Sequence, residues 1–324
     1  MTFTKLITKI LSRQDFESKP PVLVDIGASE SIHKNWRSIE NYSIGIAFDP
    51  DKREYGYIEK AKSNFKKLYV FNCAVSDSEN PETDFYLTSS PYCSSMLKPY
   101  SDKIKVWSFA DKFEIVREVK IKTKRLSDVL STLGLERIDW YKSDSQGVDL
   151  RLFNSLSDKV KRNILAAEFE PGFIDSYVNE DKLSKLISHM EKNNFWISEM
   201  TVKGSQRITQ TQLNNLYKSS ALKKFAQFSH KISPGWAEII YLNDFQNEFT
   251  LREYLLGWIF GTILKQHGFA LTIIEEAGKL DNDEEAKYLL NEMKKYSIKR
   301  IKMNVYKLKF LPAVIERLSK MLSH

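Results

Sequence analysis

Three short runs of apolar residues in the first quarter of the chain show no alternation with polar residues. They are Val22–Ala28 (VLVDIGA), Ser43–Asp51 (SIGIAFDPD) and Leu68–Val75 (LYVFNCAV). Strands without alternation are buried on both faces, as in a parallel sheet covered by helices. Gly27 closes the first run and Asp49 the second, at the strand ends where open α/β sheets bind nucleotides. The pattern therefore predicts a nucleoside-bearing cofactor, with Asp49 accepting hydrogen bonds from ribose hydroxyls.

The rest of the first 245 residues reads as further strands and helices. Strands are predicted at Asp84–Thr88, Glu114–Thr123, Ile138–Ser143, Asn163–Phe169, Phe195–Met200 and Trp236–Leu242. Helices are predicted at Ser31–Ile39, Lys52–Lys67, Arg125–Leu133, Val148–Leu156 and Lys182–Asn193. This largely alternating order predicts an α/β fold with a mostly parallel, doubly wound sheet and helices on both faces.

Residues outside this region show only helical patterns. Residues 1–20 read as one amphipathic helix, with Phe3, Leu6, Ile7, Ile10 and Leu11 on one side. They lack an apolar core long enough for a signal peptide. We therefore expect an N-terminal helix at 1–20, a domain at 21–245 and a helical extension at 246–324. The apolar stretch Leu255–Leu264 is half the length of a membrane span, so we expect a buried helix there.

Composition adds one feature, the uneven distribution of charge. The chain has 324 residues, with the apolar and charged fractions of an ordinary globular protein and a net charge of +7. Between Lys294 and Lys320 there are nine Lys or Arg and one acid, Glu316. Ile298–Leu322 could form an interfacial helix on anionic lipid or a packed helix with a solvated basic face. Both interpretations stay open, and we do not expect nucleic acid because no recognition motif accompanies the charge.

The two cysteines, Cys73 and Cys93, form neither a disulfide framework nor a zinc motif. We expect a cytoplasmic protein, with peripheral contact at the inner membrane face as a further expectation for the basic segment.

The turn after the first strand bears on the choice of cofactor. A dinucleotide would need a glycine-rich turn there, because its pyrophosphate rests on the helix amino terminus. This chain has one glycine, Gly27, followed by Ser29-Glu30-Ser31, and the acid would repel a pyrophosphate. S-adenosylmethionine carries no phosphate and has cationic sulfonium and ammonium groups, so nearby acids would favour it. A nucleotide-sugar or NAD-using enzyme and a degenerate binding module remain as alternatives.

An ordered series of motifs resembles the FkbM-type methyltransferases. The series is VDIGA, AFDPD, NCAVSD, a Ser-rich segment, TKRLSDVL, IDWYKSDSQGVDLRLF and AAEFEP, between Val22 and Leu242. Its most specific part is KSDSQGVDL, because the family shows K-x-D-x-E/Q-G-x-D/E-L at this point. Two departures are Ser29-Glu30-Ser31, where the family often has a second glycine, and Gln146, where many members have glutamate.

The resemblance implies a class I methyltransferase (Rossmann-like) fold that binds S-adenosylmethionine. It implies that the methionine end lies near Asp25 and Gly27, the ribose at Asp49 and the adenine near Asn72 and Ala74. It also implies that Asp144, at the end of the fourth strand, faces the cofactor amine and the acceptor. FkbM-type enzymes resemble O-methyltransferases that act on sugars, glycolipids and natural products. Glycan modification at a hydroxyl group is therefore the implied activity.

Catalysis of methyl transfer should depend on positioning and on a base that accepts the hydroxyl proton. Asp144 is the first candidate for that base or for a cofactor anchor, and Glu168 and Glu170 are the second. His33 is a weaker candidate, since a lone histidine near a helix start is more often a solvated cap.

The Ser/Pro/Tyr-rich loop between Thr88 and Glu114 is the remaining candidate site. Tyr92, Ser94 and Ser95 could line the acceptor site or close over it, while an ordinary surface loop is the alternative. We expect no bound metal, because the spacing of the acids around Asp144 matches no known set of ligands.

Overall fold

The computed structural model describes residues 1–28, 33–50, 64–280, 284–306 and 311–322. The chain folds into two compact units. One comprises residues 21–246, and the other combines residues 1–20 with residues 247–324.

The larger unit is built on a mixed sheet of seven strands, most of them parallel. The strands are β1 (Val22–Ile26), β2 (Ile44–Phe48), β3 (Lys67–Phe71), β7 (Trp140–Ser143), β8 (Ala166–Phe169), β9 (Phe195–Ser205) and β10 (Ser233–Asn243). Their order across the sheet is β3-β2-β1-β7-β8-β10-β9. The first five are parallel, while β10 is antiparallel to both of its neighbours. The prediction of a mostly parallel sheet is therefore confirmed.

The central strands are buried on both faces, as their unbroken apolar runs require. All five residues of β1 are buried. Val24 and Tyr141 point into the main apolar core of this unit, together with Ala167. The alternate positions Leu23 and Trp140 are equally buried on the opposite face.

A smaller sheet of three strands packs into the same unit. It consists of β4 (Ala74–Val75), β5 (Glu82–Thr88) and β6 (Ile115–Lys124), in the order β4-β6-β5. The two predicted strands with polar alternation thus exist, and they pair with each other in antiparallel fashion. The prediction of one strand over Leu68–Val75 is wrong, because the chain leaves the large sheet after Phe71 and pairs with β6 from Ala74 onward.

The described helices of the larger unit are mostly short. They are α3 (Ser101–Ile104), α4 (Leu126–Thr132), α5 (Asp149–Asn154), α6 (Asp158–Asn163), α7 (Leu183–Lys192), α8 (Gln210–Leu216) and α9 (Ser220–Ser229). Short 3₁₀ helices lie at Lys34–Ser38, Glu40–Tyr42, Pro91–Cys93 and Ala110–Phe113. The α-helix expected over Ser31–Ile39 is therefore 3₁₀ from Lys34 onward. Most of the helix expected over Lys52–Lys67 lies outside the described residues.

The smaller unit is helical in its described residues. Its helices are α1 (Phe3–Leu11), α2 (Gln14–Ser18), α10 (Leu251–Ile263), α11 (His267–Ala277), α12 (Glu284–Tyr306) and α13 (Leu311–Leu322). The N-terminal helix buries Leu6 and Ile10 completely. Phe3 contacts the rings of Trp258 and Tyr296 at centroid distances of 5.9 and 5.8 Å.

The helix expected at Leu255–Leu264 is present within α10, and its centre is fully buried. Within the described ranges, every helix is too short or too polar to cross a bilayer.

Candidate functional site

The first cavity lies where the carboxyl ends of the central parallel strands meet. Its lining residues come from the ends of β1, β2 and β7, from Cys73 and β4, and from β5 and the loop after it. They are Ile26, Gly27, Phe48, Asp49, Pro50, Cys73, Ala74, Val75, Phe85, Pro91, Tyr92, Ser94, Met96, Asp144, Ser145 and Gln146. These side chains enclose about 80 Å³. The chain continues from this wall into residues 29–32 and 51–63, so the Ser29-Glu30-Ser31 turn lies outside the described residues.

The charges of this wall have one sign. Among the described residues that line the cavity, Asp49 and Asp144 are acidic, and none is Lys, Arg or His. Asn72 is not among the described lining residues, but its Nδ2 donates a hydrogen bond to the main-chain oxygen of Asp49 at 2.9 Å. The lining favours a cationic group and disfavours a phosphate.

Gly27 makes the junction between β1 and β7 possible. Its φ of +78° lies in the left-handed region, and an added β carbon would overlap the main-chain oxygen of Asp144. Glycine is therefore required at position 27 because the chain at the end of β7 lies too close for a β carbon. A contact between Gly27 and a ligand stays a prediction.

A second and larger cavity adjoins the first. It encloses about 400 Å³ and is walled by aromatic rings and carboxyl groups. Its lining residues are Ser90, Tyr92, Cys93, Phe109, Lys112, Phe113, Asp144, Gln146, Gly147, Glu170, Gly172, Ser176, Tyr177, Glu180, Gly204, Ser205, Trp236 and Glu238. Tyr92, Asp144 and Gln146 line both cavities. The Asp144 carboxylate could therefore contact a molecule in each cavity at the same time.

Gln146 holds Asp144 at this junction. Its Nε2 donates to Asp144 Oδ1 at 2.6 Å, and its Oε1 accepts a hydrogen bond from the Tyr177 hydroxyl at 2.9 Å. The Gln146 backbone has a φ of 56°, and its carbonyl accepts from Ser95 Oγ at 2.7 Å. The amide that replaces glutamate here is thus a positioning group, since it offers both a donor and an acceptor.

Asp149, at the start of α5, fixes the loop that carries Asp144. Its carboxylate is 3% exposed and accepts hydrogen bonds from Ser143 Oγ and from Ser145 N and Oγ. Burial raises the pKa of Asp149 to about 6, although the three donors lower it. One buried carboxylate therefore ties the two residues that flank Asp144 to the first residue of the helix.

Asp144 and Glu170 form a pair of carboxyl groups in the second cavity. Burial raises the pKa of Glu170 well above its usual value, and the Asp144 carboxylate and its hydrogen bond raise it further. Glu170 is therefore protonated at neutral pH and can donate a hydrogen bond to Asp144.

The Cys93 thiol also lines the second cavity, but it is not a nucleophile at neutral pH. Burial raises its pKa to about 11, so the reactive thiolate is scarce.

Asp25 and Glu168 belong to a buried charged row on one face of the large sheet. Asp25 on β1 is the register partner of Lys142 on β7, which is the partner of Glu168 on β8. Lys142 Nζ lies 2.6 Å from Asp25 Oδ1, whose side chain is 2% exposed. Burial lowers the pKa of Lys142, but the carboxylates of Asp25, Asp144 and Glu168 raise it more, so the ammonium stays charged.

Glu168 and His33 lie together at the end of this row. Glu168 accepts a hydrogen bond from Trp140 Nε1 at 2.6 Å and lies 3.3 Å from His33 Nε2. Burial raises the pKa of Glu168 to about 7 and lowers that of His33 to about 4. Asp25, Glu168 and His33 are not among the described residues that line either cavity. Their roles in catalysis or cofactor binding stay predictions that this placement does not support.

The three predicted acceptor residues occupy different positions. Tyr92 is 54% exposed and lines both cavities, and Ser94 lines the first. Ser95 is fully buried, and its Oγ joins the loop to Gln146 while accepting from the Leu97 amide. Ser95 therefore joins its own loop to the loop that carries Gln146, and it is not among the described residues that line either cavity.

Sequence reasoning missed most of the second cavity. Tyr177, Glu180, Lys112 and Trp236 come from three segments that are far apart in the chain. The one usable signal was the position of Pro171–Lys182 directly after an acid-ended strand, where open α/β sheets place their site loops. Among the described residues, no cluster of His, Cys, Asp and Glu suits a metal ion.

Comparison with family models of known proteins gives a match within the larger unit. A family model described as the methyltransferase FkbM domain matches residues 25–204, which is more than half of the chain. No curated protein matches the chain at a significant level.

Proposed function

This chain belongs to the FkbM methyltransferase family, and we propose that it transfers a methyl group from S-adenosylmethionine to a hydroxyl group. The proposal includes a class I, Rossmann-like arrangement of residues 21–245, with helices on both faces of the sheet. It also includes a cytoplasmic location and a helical extension after residue 245, whose basic segment we propose contacts the membrane.

The observation that carries the proposal is the pair of adjoining cavities that share Asp144. The first has two carboxylates and, in its described lining, no cationic side chain. That lining suits a cofactor with sulfonium and ammonium groups better than one with phosphates. In this proposal Asp49 holds the ribose, Ala74 lies against the adenine and Asp144 faces the cationic end. When bound, S-adenosylmethionine supplies an activated methyl group for in-line displacement at carbon.

The second cavity supports an acceptor that carries a hydroxyl group. Its volume of about 400 Å³ lies in the usual range for small-molecule sites. Phe109, Phe113 and Trp236 offer aromatic faces, and the acids offer hydrogen-bond acceptors, which suits sugars, glycolipids and oxygenated natural products. Asp144 would accept the hydroxyl proton, while Gln146 and the protonated Glu170 hold its carboxylate in place.

Substitution of Asp144 tests this role. We expect Asp144→Asn to slow methyl transfer by about 10²–10⁴-fold, because the amide cannot accept a proton. The assay uses labelled S-adenosylmethionine and a screen of glycan and lipid acceptors. Asp158→Asn removes an acid that is 83% exposed and serves as the matched control. A fully active Asp144→Asn variant would remove Asp144 from the reaction.

A further inference from the structure

The connection between β9 and β10, residues 206–232, is strongly basic. It contains Arg207, Lys218, Lys223, Lys224 and Lys231, and it has no Asp or Glu. Among the described residues, its four lysines form no ion pair. The connection therefore presents an excess of positive charge that the described residues of the larger unit do not neutralise by ion pairs.

The two helices of this connection are anchored. Helix α8 starts with a capping box between Thr209 and Gln212 and buries Leu213. Helix α9 buries Ala226, which is 3% exposed. The Tyr217 hydroxyl lies 2.9 Å from His230 Nε2, which joins the end of α8 to the end of α9. Each helix thus has a side chain that is packed against the protein.

The connection also exposes large apolar residues. Leu216, Leu222, Phe225 and Ile232 are 63%, 55%, 70% and 56% exposed. Leu222 and Phe225 are three residues apart on α9, so their side chains are neighbours on one face. Leu216 and Ile232 flank the Tyr217–His230 junction. Scattered exposed apolar residues are ordinary, but four within one short basic segment indicate an interaction surface.

We propose that the connection 206–232 docks on the surface of an anionic lipid bilayer. Lysines interleaved with exposed Leu and Phe suit an interface at which anionic headgroups cover an apolar layer. An acidic protein surface would match the lysines but would leave Leu222 and Phe225 without an apolar partner. The strands at the base of the connection supply Gly204 and Trp236 to the second cavity. Docking would thus bring lipid to the hairpin that walls this cavity.

Vesicle flotation of the full chain tests the proposal. We expect binding to phosphatidylcholine vesicles that contain phosphatidylserine, and little binding without it. Lys223→Gln with Lys224→Gln should weaken binding by about fivefold per lysine. Leu222→Ser with Phe225→Ser should weaken it by about tenfold or more. Unchanged thermal unfolding would show that the variants still fold.

Two further double variants change the net charge by the same amount as the lysine variant of α9. They distinguish this surface from other basic surfaces of the chain. Lys105→Gln with Lys159→Gln alters side chains that are 67% and 70% exposed elsewhere in the larger unit. Lys299→Gln with Lys302→Gln alters the basic segment of α12. We expect the first pair to leave binding unchanged. Equal losses from the first pair and from the lysines of α9 would overturn the proposal, because they would indicate non-specific charge.

Insertion of the apolar residues gives a second readout. With brominated lipid in the vesicles, the tryptophan fluorescence of Phe225→Trp should be quenched more than that of the native protein, because the added tryptophan enters the apolar layer. Absence of vesicle binding by the full chain, or a loss confined to the α12 variants, would refute docking through this connection. Those results test membrane binding alone. The proposed methyl transfer is tested separately by the Asp144→Asn assay.

Discussion

Asp144 is the residue on which the two cavities converge. It follows the last residue of β7, and its carboxylate is held by Gln146 at 2.6 Å. Glu168, by contrast, lies within β8, and its side chain points to the charged row on the sheet face. An acid directly after a strand reaches the crevice at the edge of the sheet. An acid one or two residues earlier is still part of the strand, so its side chain points to one face of the sheet.

The protonation of Glu170 gives a prediction at this scale. Its pKa is raised in the folded protein, so the folded state binds more protons than the unfolded state above about pH 4. Stability contributed by this group is therefore present at low pH and is lost as the pH rises towards the raised pKa. Glu170→Gln mimics the protonated form, so its melting temperature relative to the native protein should increase between pH 5 and pH 8.

Glu238→Gln is the control for Glu170, because Glu238 lines the same cavity with a side chain that is 55% exposed. Its melting temperature should follow that of the native protein at each pH. A difference between Glu170→Gln and the native protein that does not change with pH would show that Glu170 is ionised.

Gly27 and Gly134 form a matched pair for a second prediction. Both have φ in the left-handed region, but only Gly27 lacks space for a β carbon. Gly134→Ala should cost about 1–2 kcal/mol, which is the conformational penalty alone. Gly27→Ala should cost about 1–3 kcal/mol more, because the junction with Asp144 must open. Denaturant unfolding measures both, and equal losses would contradict the close approach of β1 and β7.

At the scale of elements, the loop between β7 and α5 depends on one carboxylate. Asp149→Ala leaves its buried donors without an acceptor, so we expect a loss of about 1–3 kcal/mol in the free energy of unfolding. Asp149→Asn should lose less, because all three hydrogen bonds go to a single oxygen, Oδ1. Asp158→Ala, at the exposed start of α6, is the control. Equal losses for Asn and Ala would show that the charge matters more than the hydrogen bonds.

The sequence predicted strands well where local chemistry determines them. The apolar runs of β1 and β2 and their acidic ends follow from burial on both faces of a parallel sheet. The run Leu68–Val75 looked continuous, but its two halves join different sheets. Pairing of Ala74 with Thr123, 49 residues later, leaves no trace in local periodicity. The first cavity could be anticipated because it lies at the ends of these strands. The second could not, because it is assembled from loops that are distant in the sequence.

At the scale of the whole molecule, the two ends of the chain share one compact unit. Residues 1–20 were expected to form one amphipathic helix. That prediction is wrong in extent, because the segment forms two helices, α1 and α2, but the apolar side of α1 is buried. Its packing with residues of α10 and α12 joins positions more than 240 residues apart. No pattern within residues 1–20 specifies that partner.

The central claim is that the first cavity binds S-adenosylmethionine with Asp49 at the ribose. Calorimetric titration tests it with S-adenosylmethionine, S-adenosylhomocysteine and NAD. We predict heat of one-to-one binding with both methionine-derived ligands and none with NAD. Asp49→Ala should weaken that binding by about tenfold or more, because a charge-assisted hydrogen bond is lost. Asp102→Ala, at a side chain that is 82% exposed, should leave it unchanged. Absence of heat with both methionine-derived ligands, or binding of NAD instead, would contradict the account.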